Sequence, residues 1–445
     1  MSECRIVVLG GGPSGAAVAI GLRRMDYEVT LIGEPRPFDA VEGVSDRVVE
    51  GMRHAGFEQA LATLAAPSAR SVTWNGSTSA ANTERLVVRE RFDRGLLADM
   101  RGSGVQVIEG RVTSVVDEAQ ASEGKGFRIS VSDTDGSEHW IHAGFLVEAR
   151  GRAAPAAGVP RVRGAQSVSL LQHWQGEADI PCSAVQSFAD GWAWMAKRED
   201  GRRYLQLTLD VASSRLPPKQ HLAHWCHERL SGLEQAQPFM EGAEPVGEVY
   251  ARTSTPVLCE HSAGDNWLRV GDAAMAVDPL SGNGIFQALS SALQAPAVIN
   301  TLIRHPERAA LAKAFHETRI EQLFYRFARI GRDFYDQESQ WSEHPFWSAR
   351  RAWPDSQPLH LEVTPDRVST GVRPVVDNGL ITEARVVITP DQPLGIWHLN
   401  SLALAPLLDE VRAKSDINPT RVLIERLGEP KGVALSRWMV QQGWI

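Results

Sequence analysis

Along the first 35 residues the apolar positions change period twice. Arg5–Leu9 is a short, almost unbroken apolar run ending at a glycine, the pattern of a strand buried on both faces. From Ser14 to Met25 the apolar residues recur at helical spacing, and Glu28–Ile32 reads as a second strand. Strand, helix and strand in so short a span predict a βαβ unit. Further along, helical spacing resumes from Arg47 to about Leu64 and again from Val88, with Leu96 and Leu97 inward. Residues 66–90 alternate as short strands, and Val105–Glu109 and Phe127–Val131 as a meander whose turn is Asp117–Lys125. Phe145–Val147 is another buried strand. Ser167–Trp174, Ala184–Lys197 and Tyr204–Asp210 alternate as antiparallel strands with one buried face, followed by a helix over His221–Leu233. Trp267–Val270 returns as a strand, and long helical patterns cover Gly284–Arg304 and Ala309–Tyr335. Beyond Pro354 a Pro-, Val- and Thr-rich stretch leads to helical patterns at Leu402–Lys414, Thr420–Leu427 and Val433–Gln442.

The turn between the first strand and helix reads Gly10-Gly11-Gly12-Pro13-Ser14-Gly15, and Glu34 follows the second strand. Glycine at 10 permits a tight turn, at 12 a close backbone approach to a pyrophosphate, and at 15 close helix–strand packing. The free N–H groups at the helix start then face the phosphates, and Glu34 accepts from a ribose diol. This is an adenine dinucleotide site. A second signal is Gly271-Asp272 at a strand end, then Asp278-Pro279-Leu280-Ser281-Gly282-Asn283-Gly284 at a helix start. Asp272 can accept from a ribityl hydroxyl. Backbone N–H groups at Gly282, Asn283 and Gly284 can meet a flavin carbonyl, with the helix dipole favouring negative charge on the reduced ring. Pro279 would wall the reactive ring.

Composition narrows the class. The 445 residues suffice for two or three domains, and 43% hydrophobic with 22% charged residues is a globular balance. A net charge of −8 offers no basic field for nucleic acid. Cys4, Cys182, Cys226 and Cys259 are scattered, so neither a metal site nor a disulfide framework is expected and a reducing cytoplasm fits. The βαβ unit starts almost at the first residue, leaving no expected signal peptide, and no apolar run reaches membrane-span length. From residue 361 on there are nine Lys/Arg and ten Asp/Glu, which argues against a DNA-binding face and leaves a protein-contact role or a structural lid.

These residues resemble the flavoprotein monooxygenases of hydroxybenzoate-hydroxylase-like fold, and within them the branch holding flavin-dependent tryptophan halogenases. The resemblance covers roughly residues 1–355. It rests on Gly10/Gly12/Gly15 with Glu34, Glu42-Gly43-Val44-Ser45, Arg89-x-x-Phe92-Asp93, and the Gly271-Asp272 and Asp278–Gly284 segments. It implies an α/β protein with three parts. A Rossmann-like FAD-binding domain spans 1–165 and 256–355, an inserted antiparallel sheet domain for substrate spans 166–255, and a small C-terminal α+β domain, winged-helix-like or helical, spans 356–445. It also implies FAD as cofactor, with Arg89, Arg47 and the Ser45 segment beside it, and Asp272 on the ribityl chain. Glu148-Ala149-Arg150-Gly151-Arg152 resembles the family's Asp-Ala-x-Gly turn, but the Asp-Gly pair that hydroxylases use for NAD(P)H is missing. NAD(P)H or a separate flavin reductase is therefore the expected electron source.

Gly191-Trp192-Ala193-Trp194-Met195-Ala196 resembles the halogenase Trp-x-Trp-x-Ile-Pro motif without its Ile-Pro end. The halogen-carrying lysine of such enzymes lies in the first hundred residues, whereas the first lysine here is Lys125. The resemblance thus implies oxygen transfer through a flavin C4a-hydroperoxide to an electron-rich aromatic ring. It is strongest to the flavoproteins that hydroxylate a protein-bound tryptophan in tryptophylquinone biogenesis, which implies a polypeptide substrate. His173, Trp192, Trp194 and Gln206 are the cavity candidates with Pro279, each with a plain packing role as alternative, and no side chain is assigned as catalytic. Trp341, Phe346, Trp347 and Trp353 either line a groove or close the core. A small-molecule aromatic or indole hydroxylase, a halogenase, and a non-catalytic flavin-bearing binding protein are the competing readings.

Overall fold

The computed structural model describes residues 5–36, 38–118, 126–133, 135–155, 159–282 and 284–445. The chain forms two compact units, residues 1–299 with 316–357, and residues 300–315 with 358–445.

The first unit is built on two large sheets. One has seven strands in the order β17-β9-β1-β2-β6-β7-β8. These are β1 (Ile6–Leu9), β2 (Val29–Gly33), β6 (Gln106–Asp117), β7 (Phe127–Asp133), β8 (Glu138–Ala143), β9 (Phe145–Glu148) and β17 (Trp267–Arg269). β17, β9, β1, β2 and the start of β6 run parallel, β6 continues antiparallel to β7, and β7 is antiparallel to β8. All four residues of β1 are buried, as the unbroken apolar run requires. Helix α1 (Pro13–Arg23) crosses over from β1 to β2. The polar meander turn at 119–125 lies outside the described residues.

The second sheet has eight strands in the order β15-β11-β14-β13-β12-β4-β5-β3. They are β3 (Val41–Val44), β4 (Ser68–Trp74), β5 (Ser77–Val88), β11 (Ser167–Gly176), β12 (Cys182–Phe188), β13 (Gly191–Lys197), β14 (Arg202–Asp210) and β15 (Ala243–Thr253). Ala184–Lys197, expected as one strand, is thus a hairpin turned at Ala189–Asp190; alternation continues through a tight turn and hides it. Three strands of this sheet come from residues 41–88, before the segment 166–255. One face of the sheet carries Leu170, Trp174, Ala184, Ala193, Met195, Leu205, Leu207 and Leu209, packed under α5 (Lys219–Ser231) and α6 (Gln237–Met240). Burying each large apolar side chain there contributes about 1.5–3 kcal/mol. A small third sheet joins β10 (Arg161–Arg163), β16 (Val257–Cys259) and β18 (Met275–Ala276).

Local chemistry explains where helices break. The helical pattern from Arg47 splits into α2 (Asp46–Ala55) and α3 (Glu58–Leu61) because Gly56 closes α2 in the left-handed region. Asp99 of α4 (Arg89–Gly102) accepts the N–H groups of Glu58, Gln59 and Ala60 at 3.1, 2.7 and 3.0 Å, capping α3 from outside. The stretch expected as one helix over Gly284–Arg304 is α7 (Gly284–Ala292) and α8 (Ala295–Arg304), with Pro296 in the first turn of the second, where its missing N–H costs nothing. α9 (Ala309–Asp336), which belongs to this unit from His316 on, and α10 (Pro345–Arg351) complete its helices.

His316 ties α9 to the parallel sheet. Its Nε2 donates to the Arg269 carbonyl at 2.9 Å, and burial pulls its pKa down to about 4. The folded state therefore resists a proton that the unfolded chain binds near pH 6.5. Stability is full above that pH and falls as the pH drops toward 4, by up to about 3 kcal/mol. Melting curves between pH 7 and 4 should show this slope in the natural protein and a shallower one in His316→Gln.

In the second unit, β19 (Ser369–Asp377) and β20 (Leu380–Ile388) form a hairpin through Asn378-Gly379, both at positive φ as a two-residue turn demands. A short pair follows, β21 (His398–Leu399) and β22 (Leu402–Ala403), then α11 (Leu404–Ala413), α12 (Pro419–Leu427) and α13 (Glu429–Gln441). Their core holds Val387, Leu404, Leu408, Val422, Leu435, Met439 and Trp444. Among the described residues no helix is long and apolar enough to cross a membrane, and no His/Cys/Asp/Glu cluster is arranged to hold a metal ion.

Candidate functional site

The glycine-rich turn sits where β1 feeds α1. Gly10 has φ +107°, and a Cβ there would lie 2.5 Å from the Ala149 carbonyl oxygen. At Gly15 a Cβ would meet the Gly10 carbonyl, which is how the helix lies against its own strand. Around Gly12, by contrast, no atom lies within 4 Å of a Cβ position, and the same is true at Gly282 and Gly284. Pro13 and Ser14 open α1, both buried. Glu34 is exposed just beyond β2. Gly271 and Asp272 follow β17, and Gly271 N–H donates to Ser291 Oγ of α7 at 2.8 Å. A Cβ at Gly271 would run into Ser14 Oγ, so the two glycine-rich segments pack directly on one another. Asn283 lies outside the described residues.

Charged groups lie around these segments. Asp272 lies 3.5 Å from the Arg152 guanidinium; burial holds its carboxyl above the ordinary range, and Arg152 offsets part of that. Arg152 also donates to the carbonyls of Thr255 (2.6 Å) and Val277 (3.0 Å), joining the turn after β9 to the segment before Asp278. Arg89, the first residue of α4, is buried and donates to Glu42 at 2.5 Å and to Asp93 at 2.8 and 3.1 Å. Burial raises the Glu42 carboxyl, but Arg89 and Arg36 together pull it below its usual range. Ser45 and Arg47 are exposed at the start of α2, and the Arg47 guanidinium lies 4.4 Å from the Phe286 ring centroid on α7. Glu148 turns back onto Arg150 within its own turn, accepting at 2.9 and 2.5 Å. Its carboxylate is occupied locally where the resemblance expects an aspartate.

The sheet face opposite the apolar one collects the cavity candidates. Antiparallel register pairs Leu171 and Trp194 with Gln206, His173 with Tyr204, and Trp192 with Thr208, and directly paired residues share a face. His173, Trp192, Trp194 and Gln206 therefore project to one side. His173 is engaged structurally: Nε2 is 3.1 Å from the Asp39 carbonyl, its ring packs on Tyr204 and Tyr250, and burial lowers its pKa. Trp192 is buried with Val185, Tyr335, Phe346 and Trp347, and Val72, Trp74, Trp194, Leu280 and Trp341 close around them. Phe346 and Trp347 close the core rather than lining a groove. Leu280 belongs to the loop carrying Pro279, so that loop and the tryptophan wall meet in one aromatic cluster.

Sequence reasoning missed Tyr335, Arg152 and Arg350. Tyr335 Oη donates to the Asp278 carboxylate at 3.0 Å and accepts from Trp192 Nε1 at 3.3 Å. Arg350 pairs with Asp210 at 3.3 Å, both buried. Each contact joins segments tens of residues apart, and no local signal marks them. Only Arg152, within a glycine turn after a buried strand, left a trace.

Residues 3–322 match the family model described as FAD binding domain. Among solved structures, the peptidyl tryptophan dihydroxylase QhpG, essential for tryptophylquinone cofactor biogenesis, is 51% identical, with a TM-score of 0.86 over 100% of both chains. The flavin-dependent halogenase CmlS is 18% identical, with a TM-score of 0.78 over 99% of this chain and 94% of its own, a likeness of fold alone. The tryptophan 2-halogenase of Chondromyces crocatus is 27% identical over 377 residues, 79% of this chain and 71% of that protein.

Proposed function

The chain belongs to the FAD-binding-domain family, and on that premise we propose that it hydroxylates a tryptophan side chain of a polypeptide during tryptophylquinone cofactor biogenesis. It is an FAD-dependent monooxygenase. The observation that carries the substrate is the match to the peptidyl tryptophan dihydroxylase along the whole of both chains.

The residues present fit FAD. Open space around Gly12, Gly282 and Gly284 admits a ligand to the backbone, while Gly10 and Gly15 are closed by their own chain. In this reading α1 would turn the N–H groups of Ser14 and Gly15 and its positive dipole end to the pyrophosphate, and Glu34 would accept from the ribose. Asp272 would hold the ribityl chain, with the Arg152 guanidinium beside its carboxyl. The start of α7 meets the flavin carbonyl edge. Arg47 and Arg89 flank the cofactor, Arg89 locked in place by Glu42 and Asp93. The bound FAD supplies the redox chemistry that activates O2. The chain's own task is to exclude water and seat an aromatic ring, which the face bearing Trp192, Trp194 and Gln206 and the Pro279 loop are built to do. His173, already committed to Asp39, shapes the rim. Electrons come from NAD(P)H directly or through a separate flavin reductase, and anaerobic mixing with NADH alone distinguishes the two by flavin bleaching.

Co-expression with a tryptophan-bearing polypeptide of a quinone-forming enzyme tests the reading. Mass spectrometry should find one or two added oxygen atoms on that polypeptide and none on free tryptophan. Halide-dependent substitution of the ring instead would move the protein to the halogenases, whose fold it shares.

A further inference from the structure

We propose that Tyr335 is a positioning residue whose hydroxyl, set between the Trp192 indole N–H and the Asp278 carboxylate, fixes the Pro279 loop against the tryptophan wall. The proposal rests on the aromatic-hydroxylation reading for what the wall receives, and on geometry alone for the link itself.

The three groups form a directed chain. An indole N–H only donates and a carboxylate only accepts, so a group between them must do both. A tyrosine hydroxyl does, and phenylalanine of the same shape does neither. Trp192 Nε1 donates to Tyr335 Oη at 3.3 Å, and Tyr335 Oη reaches both Asp278 oxygens at 3.0 Å. All three side chains are buried, so water cannot substitute for a lost link at low cost. Asp278 carries the link into the loop, since its Oδ1 also accepts from Leu280 N–H at 2.9 Å and so shapes the turn containing Pro279. Trp192 carries it into the sheet, on the face shared with Trp194 and Gln206. One hydroxyl on the long α9 thereby sets the separation between the loop and the wall, and with it the depth at which an aromatic ring is received.

Tyr335→Phe tests this. The variant should bind FAD as the natural protein does, read by flavin absorbance after gel filtration. Hydrogen–deuterium exchange in the peptide covering 276–282 should quicken about tenfold, the loss of one net hydrogen bond. Hydroxylated product per O2 consumed should fall by about the same factor. In the 276–282 exchange, Trp192→Phe combined with Tyr335→Phe should do no more than Tyr335→Phe alone, since both cut one chain. Phe334→Leu, an exposed ring on the same helix, should leave the exchange unchanged. Unaltered exchange in Tyr335→Phe, equal quickening in Phe334→Leu, or additive quickening of the exchange in the double variant would overturn the proposal. If the natural protein hydroxylates no polypeptide while Tyr335→Phe still loosens the loop, the substrate reading fails and the positioning link stands.

Discussion

Gly10→Ala is expected to give a colourless protein. At φ +107° an L-residue pays roughly 1–2 kcal/mol in backbone strain. The added methyl would also lie 2.5, 2.7 and 2.9 Å from the Ala149 oxygen, the Ala149 carbonyl carbon and the Arg150 nitrogen. These are backbone atoms of the neighbouring strand end and cannot swing aside, and overpacking of this kind costs about 1–3 kcal/mol more. Together, about 2–5 kcal/mol falls on the turn that orients the α1 N-terminus. FAD affinity should then drop by between tens and thousands of fold. Flavin absorbance per polypeptide, measured after desalting, checks this. Retention of stoichiometric FAD would remove that turn from the cofactor site. Gly12→Ala is the informative contrast, because its methyl meets no protein atom within 4 Å and should disturb the fold far less than it disturbs FAD.

Arg350→Met should destabilise the first unit most among single changes outside the glycine turns. Arg350 and Asp210 are both buried, and the guanidinium also donates to Ser167 Oγ at 2.7 Å and to the Phe346 carbonyl at 2.8 Å. Removing the cation leaves the Asp210 carboxylate buried with only the Ser213 N–H and hydroxyl, at 2.8 and 2.9 Å. Breaking a buried pair from one side costs about 3–5 kcal/mol. The melting temperature should fall by roughly 5–10 °C, seen by calorimetry of the FAD-loaded protein. Replacing both partners, Arg350→Met with Asp210→Leu, should recover at least half of that loss, since no lone charge stays buried. A double variant as unstable as the single one would assign the effect to shape rather than charge.

The course of the chain shows why some of this was legible. The apolar run of β1, the helical spacing after Gly15 and the acid at Glu34 lie within thirty residues, so neighbours in sequence are neighbours in space. Breaks were harder to read. Ala184–Lys197 keeps its alternation through a turn, and Gly284–Arg304 keeps its helical spacing across Pro296, because period reports which face is buried and not where the chain bends. His173, Trp192, Trp194 and Gln206 could be named as strand residues, but that they share one face follows from register, which hydrogen-bonded partners set.

By itself, then, the sequence determined the dinucleotide turn, the class of cofactor and the alternation of a second sheet, because each is written in local spacing. Tertiary structure alone decided that strands from residues 41–88 complete that sheet, that Arg89 is held by Glu42 across 47 positions, and that Tyr335 joins Asp278 to Trp192. Such contacts are made by folding distant segments onto one another, and a buried hydrogen bond gains its value only from the low-dielectric surroundings that the finished fold creates.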